Sequence, residues 1–214
     1  MREDINKLLK HYSEKNYVKA EELAKSLIEK HPKTPICWKI LGAVYYATGR
    51  KEDSLKLMRE AIRLDPSDAS ASSNLAIMLN AVGRPNEAET ICRNAVSLEP
   101  KFAEAHSNLG MILSGLGRVE EALASYREAI KLKPIIPEPY YNQSNLLKIT
   151  GRLWEAESSC RKAISLKPKY AKALNLLGNI KRDQGQLIEA EKSYREALEL
   201  EPNYLEARTN LLYC

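Results

Sequence analysis

Apolar residues recur along this chain at steps of three and four. Between residues 103 and 136, one stripe runs Ala105, Leu109, Ile112 and Leu113, and a second runs Ala122, Leu123, Tyr126, Ala129 and Ile130. Such steps gather apolar side chains on one face of an α-helix and leave charged ones on the other. Gly117 stands between the stripes and Pro134 closes the second. The pattern predicts two amphipathic helices joined by a glycine turn and ended by a residue that cannot continue a helix. No alternating segment is long enough to predict a strand.

The same phrase returns every 34 residues. Prolines stand at Pro32, Pro66, Pro100, Pro134, Pro168 and Pro202, and glycines at Gly49, Gly83, Gly117, Gly151 and Gly185. Alanines keep the beat at Ala88, Ala122, Ala156 and Ala190, and again at Ala61, Ala95, Ala129, Ala163 and Ala197. Each second helix opens with an acid in its first turn (Asp53, Glu87, Glu121, Glu155, Glu189), which suits the helix dipole. Small residues at Gly42, Ala76, Gly110 and Gly178, facing the repeating alanines, predict close approach of the paired helices. A fixed period of this length is the mark of a repeat array in which each hairpin stacks on its neighbours.

This pattern resembles tetratricopeptide repeats (TPR). The segment 35–68 carries Trp38, Leu41, Gly42, Tyr45, Ala61 and Pro66, with Ser54 and Met58 in places where the family prefers Ala and Phe. The segment 103–136 follows with His106, Leu109, Gly110, Ala122, Tyr126, Ala129 and Pro134. The fifth repeat departs most, with Gln143 and Ser144 where Leu and Gly are usual, and the first keeps only Ala20, Ala24, Leu27 and Pro32 of its second helix. The resemblance implies an all-α fold, an α-solenoid of stacked antiparallel helix hairpins in a right-handed superhelix. It divides the chain into a degenerate first repeat at 1–34, further repeats at 35–68, 69–102, 103–136, 137–170 and 171–204, and a capping or truncated helix at 205–214. Leu211, Leu212 and Tyr213 make that last piece apolar, so a longer natural chain is expected.

In this family the first helix of each hairpin lines the concave side. One inner register there reads Asn74, Asn108, Asn142, Leu176 and Asn210. A carboxamide offers a donor and an acceptor and can pair with both polar groups of an extended peptide backbone. The ladder is similar to those in the repeat arrays of O-linked N-acetylglucosamine transferases. The alternative is that these asparagines only link adjacent helices or face water. Elsewhere on this face the first two repeats offer Leu9, Tyr12, Ile36, Ile40, Ala43 and Tyr46, and the middle offers Ser70, Ser73, Asn80, Ser107, Met111 and Ser114. The fifth and sixth offer Tyr141, Asn145, Lys148, Lys172, Asn175, Asn179, Arg182 and Asp183. The candidate groove residues are therefore Asn74, Asn108, Asn142, Asn145, Lys148, Lys172, Asn175, Asn179, Arg182 and Asn210. A clamp for acidic carboxyl-terminal tails fits Lys39 and Asn74, but not Ala43, Glu104 and Asn108.

Charge and composition narrow the function classes. The net charge is +5, and Arg59, Arg93, Arg127, Arg161 and Arg195 recur at one register. Acids follow directly at Glu60, Glu128 and Glu196, and no aromatic residues interleave as stacking platforms, so a solvated face is expected rather than a nucleic-acid site. His11, His31 and His106 lie in different repeats, and no nucleophile–base arrangement or paired acid and base can be proposed. No enzyme activity, metal or cofactor is expected. Cys37, Cys92, Cys160 and Cys214 are too far apart for a metal motif and read as small buried hydrophobes. With no signal-peptide or spanning segment evident, a cytoplasmic location and no membrane contact are expected. The triplet at Asn142 that matches a glycosylation acceptor falls inside a helix, Pro137 and Pro139 suit a helix's first turn, and Trp154 has no assignable packing role. The expected function is a protein–protein interaction scaffold holding an extended peptide in its concave groove. The alternative is the substrate- or partner-recruiting region of a larger enzyme such as a glycosyltransferase. Self-association through the end helices is a further expectation, because open ends expose apolar faces.

Overall fold

The computed structural model describes all 214 residues and is built from thirteen α-helices. It divides into two compact units, Met1–Leu116 and Gly117–Cys214. The division falls inside the repeat 103–136, at its turn glycine. Unit 1 holds α1 (Arg2–Ser13), α2 (Tyr17–Lys30), α3 (Pro35–Ala47), α4 (Lys51–Leu64), α5 (Ala69–Ala81), α6 (Pro85–Leu98) and α7 (Ala103–Gly115). Unit 2 holds α8 (Val119–Leu132), α9 (Pro137–Ile149), α10 (Leu153–Leu166), α11 (Ala171–Asp183), α12 (Leu187–Leu200) and α13 (Leu205–Leu212). Within unit 1 the first helices of successive hairpins touch, α1 with α3, α3 with α5 and α5 with α7; in unit 2, α9 touches α11 and α11 touches α13. This stacking is the solenoid arrangement, and its core is a row of buried Leu, Ile and Ala side chains between helices.

All five turn glycines have positive φ, between 75° and 86°. The first hairpin carries Lys15 at the corresponding place, with φ 57°. A side chain there crowds the backbone at a cost of about 1–2 kcal/mol, part of which glycine's greater unfolded freedom takes back. Lys15→Gly will therefore stabilise unit 1 by about 0.5–1 kcal/mol in urea denaturation, while Lys15→Ala will not.

The hairpins are latched to one another by a second repeating device. Trp38 Nε1 donates to the Pro32 carbonyl at 2.8 Å, Tyr140 Oη to Pro134 at 3.3 Å and Arg208 Nη2 to Pro202 at 2.7 Å. His106 Nε2 lies 2.9 Å from the Pro100 carbonyl. Four chemically different side chains thus perform one task, tying the start of a hairpin to the proline that ends the one before. At the same register Ser72 is too short, and its buried hydroxyl is left without a partner.

Gly42 and Gly178 give the expected close approach, but not against the repeating alanines. A Cβ on Gly42 would lie 3.3 Å from the Ser54 carbonyl oxygen, and one on Gly178 would run into the buried ring of Tyr194. Cys37, Cys92 and Cys160 are buried and free, and burial pushes the thiols of Cys92 and Cys160 up to about 12. Cys214 departs from the expectation: it is only partly buried. Pro137 opens α9 at its first turn. Trp154 is 72% exposed on α10. No helix is long and apolar enough to cross a membrane.

Candidate functional site

In unit 1, α1, α3, α5 and α7 present a hollow of about 340 Å³ lined by Tyr12, Ala43, Tyr46, Ala47, Asn74, Ile77, Met78 and Asn108. None of these side chains is charged. Helical spacing explains the gathering: Ala43, Tyr46 and Ala47 share one face of α3, as Asn74, Ile77 and Met78 do on α5. Small residues at Ala43 and Ala47 leave the room that Tyr12 and Tyr46 then border. Burial raises the pKa of the Tyr12 hydroxyl, so the phenol stays neutral at ordinary pH.

The two asparagines here differ. Asn108 is half-buried and donates from Nδ2 to Ser73 Oγ at 2.9 Å. Asn74 is exposed within the hollow and makes no side-chain hydrogen bond, so both ends of its carboxamide are open. Nearby Lys39, the residue that suggested an acidic-tail clamp, holds Asp68 at 2.7 Å and is only 17% exposed. Its charge is already matched.

Unit 2 brings together a different set. Asn210 Nδ2 donates to Asn175 Oδ1 at 3.0 Å, Asn175 Nδ2 reaches Tyr204 Oη at 3.5 Å, and Arg182 Nη1 reaches Asn210 Oδ1 at 3.5 Å. Tyr194 Oη donates to Asn179 Oδ1 at 2.9 Å, and Lys148 pairs with Asp183 at 3.0 Å. Five of the expected groove residues, Lys148, Asn175, Asn179, Arg182 and Asn210, are thus partnered within the protein. Asn145 and Lys172 are exposed, and Asn142 is half-buried on α9.

One rule connects the two units. A carboxamide on one hairpin donates to the polar side chain 35 positions earlier, Asn108 to Ser73 and Asn210 to Asn175. Part of the ladder therefore links adjacent helices, which was the alternative reading of these residues. Sequence reasoning passed over Ile77, Ala47 and Met78 as lining residues, and passed over Asn6, which stands at the ladder register on α1 and is exposed. The signal for Asn6 was its distance of two repeats from Asn74.

The recurring arginines are largely matched. Arg59 pairs with Glu87 at 2.5 Å, Arg93 with Glu89 at 2.8 Å, Arg161 with Glu157 at 3.0 Å and Arg195 with Glu191 at 2.6 Å. No three His, Cys, Asp or Glu side chains converge on a point that could hold a metal ion.

The hairpins, their period and the stacking of successive first helices together define a helical repeat protein, and comparison with known proteins places it. The family described as "Psidin, N-terminal TPR repeats region" matches residues 6–142, and single tetratricopeptide-repeat families match residues 137–170 and 171–204. The chain belongs to the tetratricopeptide-repeat family. Among curated protein sequences none matches it. Solved structures share the fold. PilW, a "widely conserved type IV pilus biogenesis factor", superposes with TM-score 0.89 at 18% identity over 98% of this chain and 97% of that one. The pilF protein of Pseudomonas aeruginosa does so with TM-score 0.84 at 17% identity over 100% and 97%. YrrB, "a TPR protein with an unusual peptide-binding site", gives TM-score 0.64 at 20% identity over 89% and 98%. At these identities the likeness is one of fold.

Proposed function

We propose that this protein is an interaction scaffold that holds an extended segment of a partner protein on the concave face of unit 1. The observation that carries the reading is the uncharged hollow of about 340 Å³ with the open carboxamide of Asn74 at its edge. The apolar wall of Tyr12, Tyr46 and Ile77 accepts one aliphatic or aromatic side chain. Asn74 pairs with the backbone beside it, donating to a carbonyl and accepting from an N–H. Asn108 has one donor committed to Ser73 and adds its remaining groups. This is the use to which the asparagine rows of the glycosyltransferase arrays would put the same residues, and the structural likeness to YrrB agrees with it. The cysteines, all unpaired, fit the reducing cytoplasm.

The test is selection of peptides from a displayed random library, followed by titration of the enriched sequences. The selected peptides will share an apolar anchor and no required charge. Asn74→Ala will weaken them by about 1 kcal/mol, roughly five-fold, and leave stability unchanged because the side chain supports nothing in the fold. Tyr46→Glu will weaken them more. Peptides that bind wild type and both variants equally would overturn the groove assignment.

A further inference from the structure

The row of arginines on the second helices has one member without a partner. Arg59, Arg93, Arg161 and Arg195 are ion-paired, whereas Arg127 on α8 makes no hydrogen bond or ion pair within the chain. Glu89, Glu157 and Glu191 precede Arg93, Arg161 and Arg195 by one helical turn, but the residue one turn before Arg127 is Leu123. Arg59, which also follows a leucine, turns to the next hairpin, where Glu87 gives it one oxygen and gives the other to Arg84. The counterpart of Glu87 in the following hairpin is Glu155, and Arg152 takes both of its oxygens at 2.7 Å. Arg127 instead borders a hollow of about 210 Å³ on α8, α9 and α10, lined also by Gln143, Leu147, Glu155, Ser158 and Ser159. Repeat 69–102 has Leu75 and Ile91 at the registers of Gln143 and Ser159, so the hollow is polar where that repeat is apolar. Ser125 and Ser193, at the register of Ser159, donate back to the Glu121 and Glu189 carbonyls of their own helices. Ser159 turns the other way and donates to Gln143 Oε1 at 3.0 Å, which fixes the carboxamide and leaves its Nε2 free. The exposed hydroxyl of Ser158 has no partner either.

We propose that this hollow binds a single carboxylate, supplied by an acidic side chain of a partner protein that also covers Trp154. The guanidinium of Arg127 meets the two carboxylate oxygens in a charge-assisted fork. Gln143 Nε2 and Ser158 Oγ add neutral donors, and Leu147 takes the methylene stem. One unmatched positive charge calls for one negative charge. A phosphate dianion would set a second one against Glu155. Trp154 decides the source of the carboxylate. It is 72% exposed and stands one helical turn before Ser158 on the same face of α10. An acid that enters the hollow therefore carries its chain neighbours onto an open indole, and a charged anchor beside an exposed aromatic is the make-up of a protein interface. A small free carboxylate would leave the indole bare. The site lies wholly in unit 2 and shares no residue with the hollow of unit 1.

Nuclear magnetic resonance on the isotope-labelled whole chain follows the Arg127 Nε–H and the Gln143 side-chain amide during titration with N-acetyl-glutamate amide. Both signals should shift saturably at millimolar concentrations, while those of the paired Arg93, Arg161 and Arg195 should not. Gln143→Leu, which installs the residue found at this register as Leu75, Leu109 and Leu177, should weaken binding about three-fold. Arg127→Gln should abolish it. The blocked dipeptide glutamyl-leucine should bind about five-fold more tightly than the blocked amino acid, and Trp154→Ala should erase that difference. Asn74→Ala should change none of these results, which separates this site from the groove. The proposal fails if Arg127 shifts no more than the paired arginines or if Gln143→Leu binds as well as wild type. Equal affinity for the blocked amino acid and the dipeptide would overturn the assignment to a partner protein. Tighter binding of inorganic phosphate would overturn the carboxylate.

Discussion

Gly178→Ala will destabilise unit 2 by about 2 kcal/mol, whereas the same substitution in a chain that already carries Tyr194→Cys will cost almost nothing, because a single methyl group has nowhere to go until the ring is gone. Tyr194 is fully buried, and a Cβ on Gly178 would overlap its ring. The chain has solved this contact in two ways. Gly42 precedes Met58 and Gly178 precedes Tyr194 at a fixed interval, while at the same interval Ala76 precedes Cys92 and Ser144 precedes Cys160. Where the second helix brings a large side chain the first helix offers no Cβ; where it brings a small one, Cβ and even Oγ are accommodated. Ser144 Oγ uses the space to donate to the Ala156 carbonyl at 2.7 Å. Taken singly, Tyr194→Cys leaves a cavity and removes the hydrogen bond to Asn179, at a cost of about 3 kcal/mol. The double variant recreates the Ala–Cys solution, so the mutant cycle should show a favourable coupling of about 2 kcal/mol. Urea denaturation followed by circular dichroism measures the cycle, and hydrogen exchange in α11 and α12 localises it. Costs that simply add would sink the idea that the two positions fit each other.

Glu157→Gln is the second large effect, about 2–3 kcal/mol against unit 2 at neutral pH. The ammonium of Lys181 is 5% exposed and sits 2.6 Å from Glu157, 3.0 Å from Glu189 and 2.7 Å from Gln186 Oε1, to which it donates. Glu157 also accepts from Arg161 at 3.0 Å and Gln184 at 3.0 Å. Burial by itself favours the neutral acid, but the hydrogen bonds from Lys181, Gln184 and Arg161 outweigh it and hold the Glu157 carboxyl at about 2. For Lys181 burial likewise opposes the charge, and its bonds to Glu157 and Glu189 raise its pKa nonetheless. Removing the carboxylate leaves a buried cation with one largely exposed partner. Because the folded pKa of Glu157 lies below the ordinary 4.5, its contribution is fully present above pH 4.5 and is lost as pH falls toward 2. The stability difference between wild type and Glu157→Gln should therefore be flat from pH 5 to 8 and shrink below 4.5. Adding Lys181→Met to Glu157→Gln should recover most of the loss, since the buried charge goes with its partner. A pH-independent difference would show that the carboxylate's charge is not what stabilises the junction.

Much of this was legible along the chain. Helix faces, glycine turns and terminating prolines follow from steric and periodic rules that act within a few residues, so Gly49 or Pro66 announces its role locally. The pairing of Gly178 with Tyr194 came from the structure, since the small residues were expected to face the repeating alanines, although the exchange of Gly and Tyr for Ala and Cys at a fixed interval can be read across copies. The latch was half legible. Trp38 and His106 stood out by register, but that Tyr140 and Arg208 make the same hydrogen bond depends on side-chain reach, which spacing does not give.

The candidate site divides along the same line. The ladder register, with Asn74, Asn108 and Asn210, was determined by the sequence alone, since a fixed period places its members on one face of successive helices. Which of those carboxamides is open was decided only by tertiary structure. Asn108 is tied because Ser73 lies across the helix junction, Asn210 is tied because Asn175 does, and Asn74 is open because the residue 35 positions before it is Lys39, already held by Asp68. A hydrogen bond is settled by the distance and orientation of two side chains on different helices, and stacking alone sets those quantities.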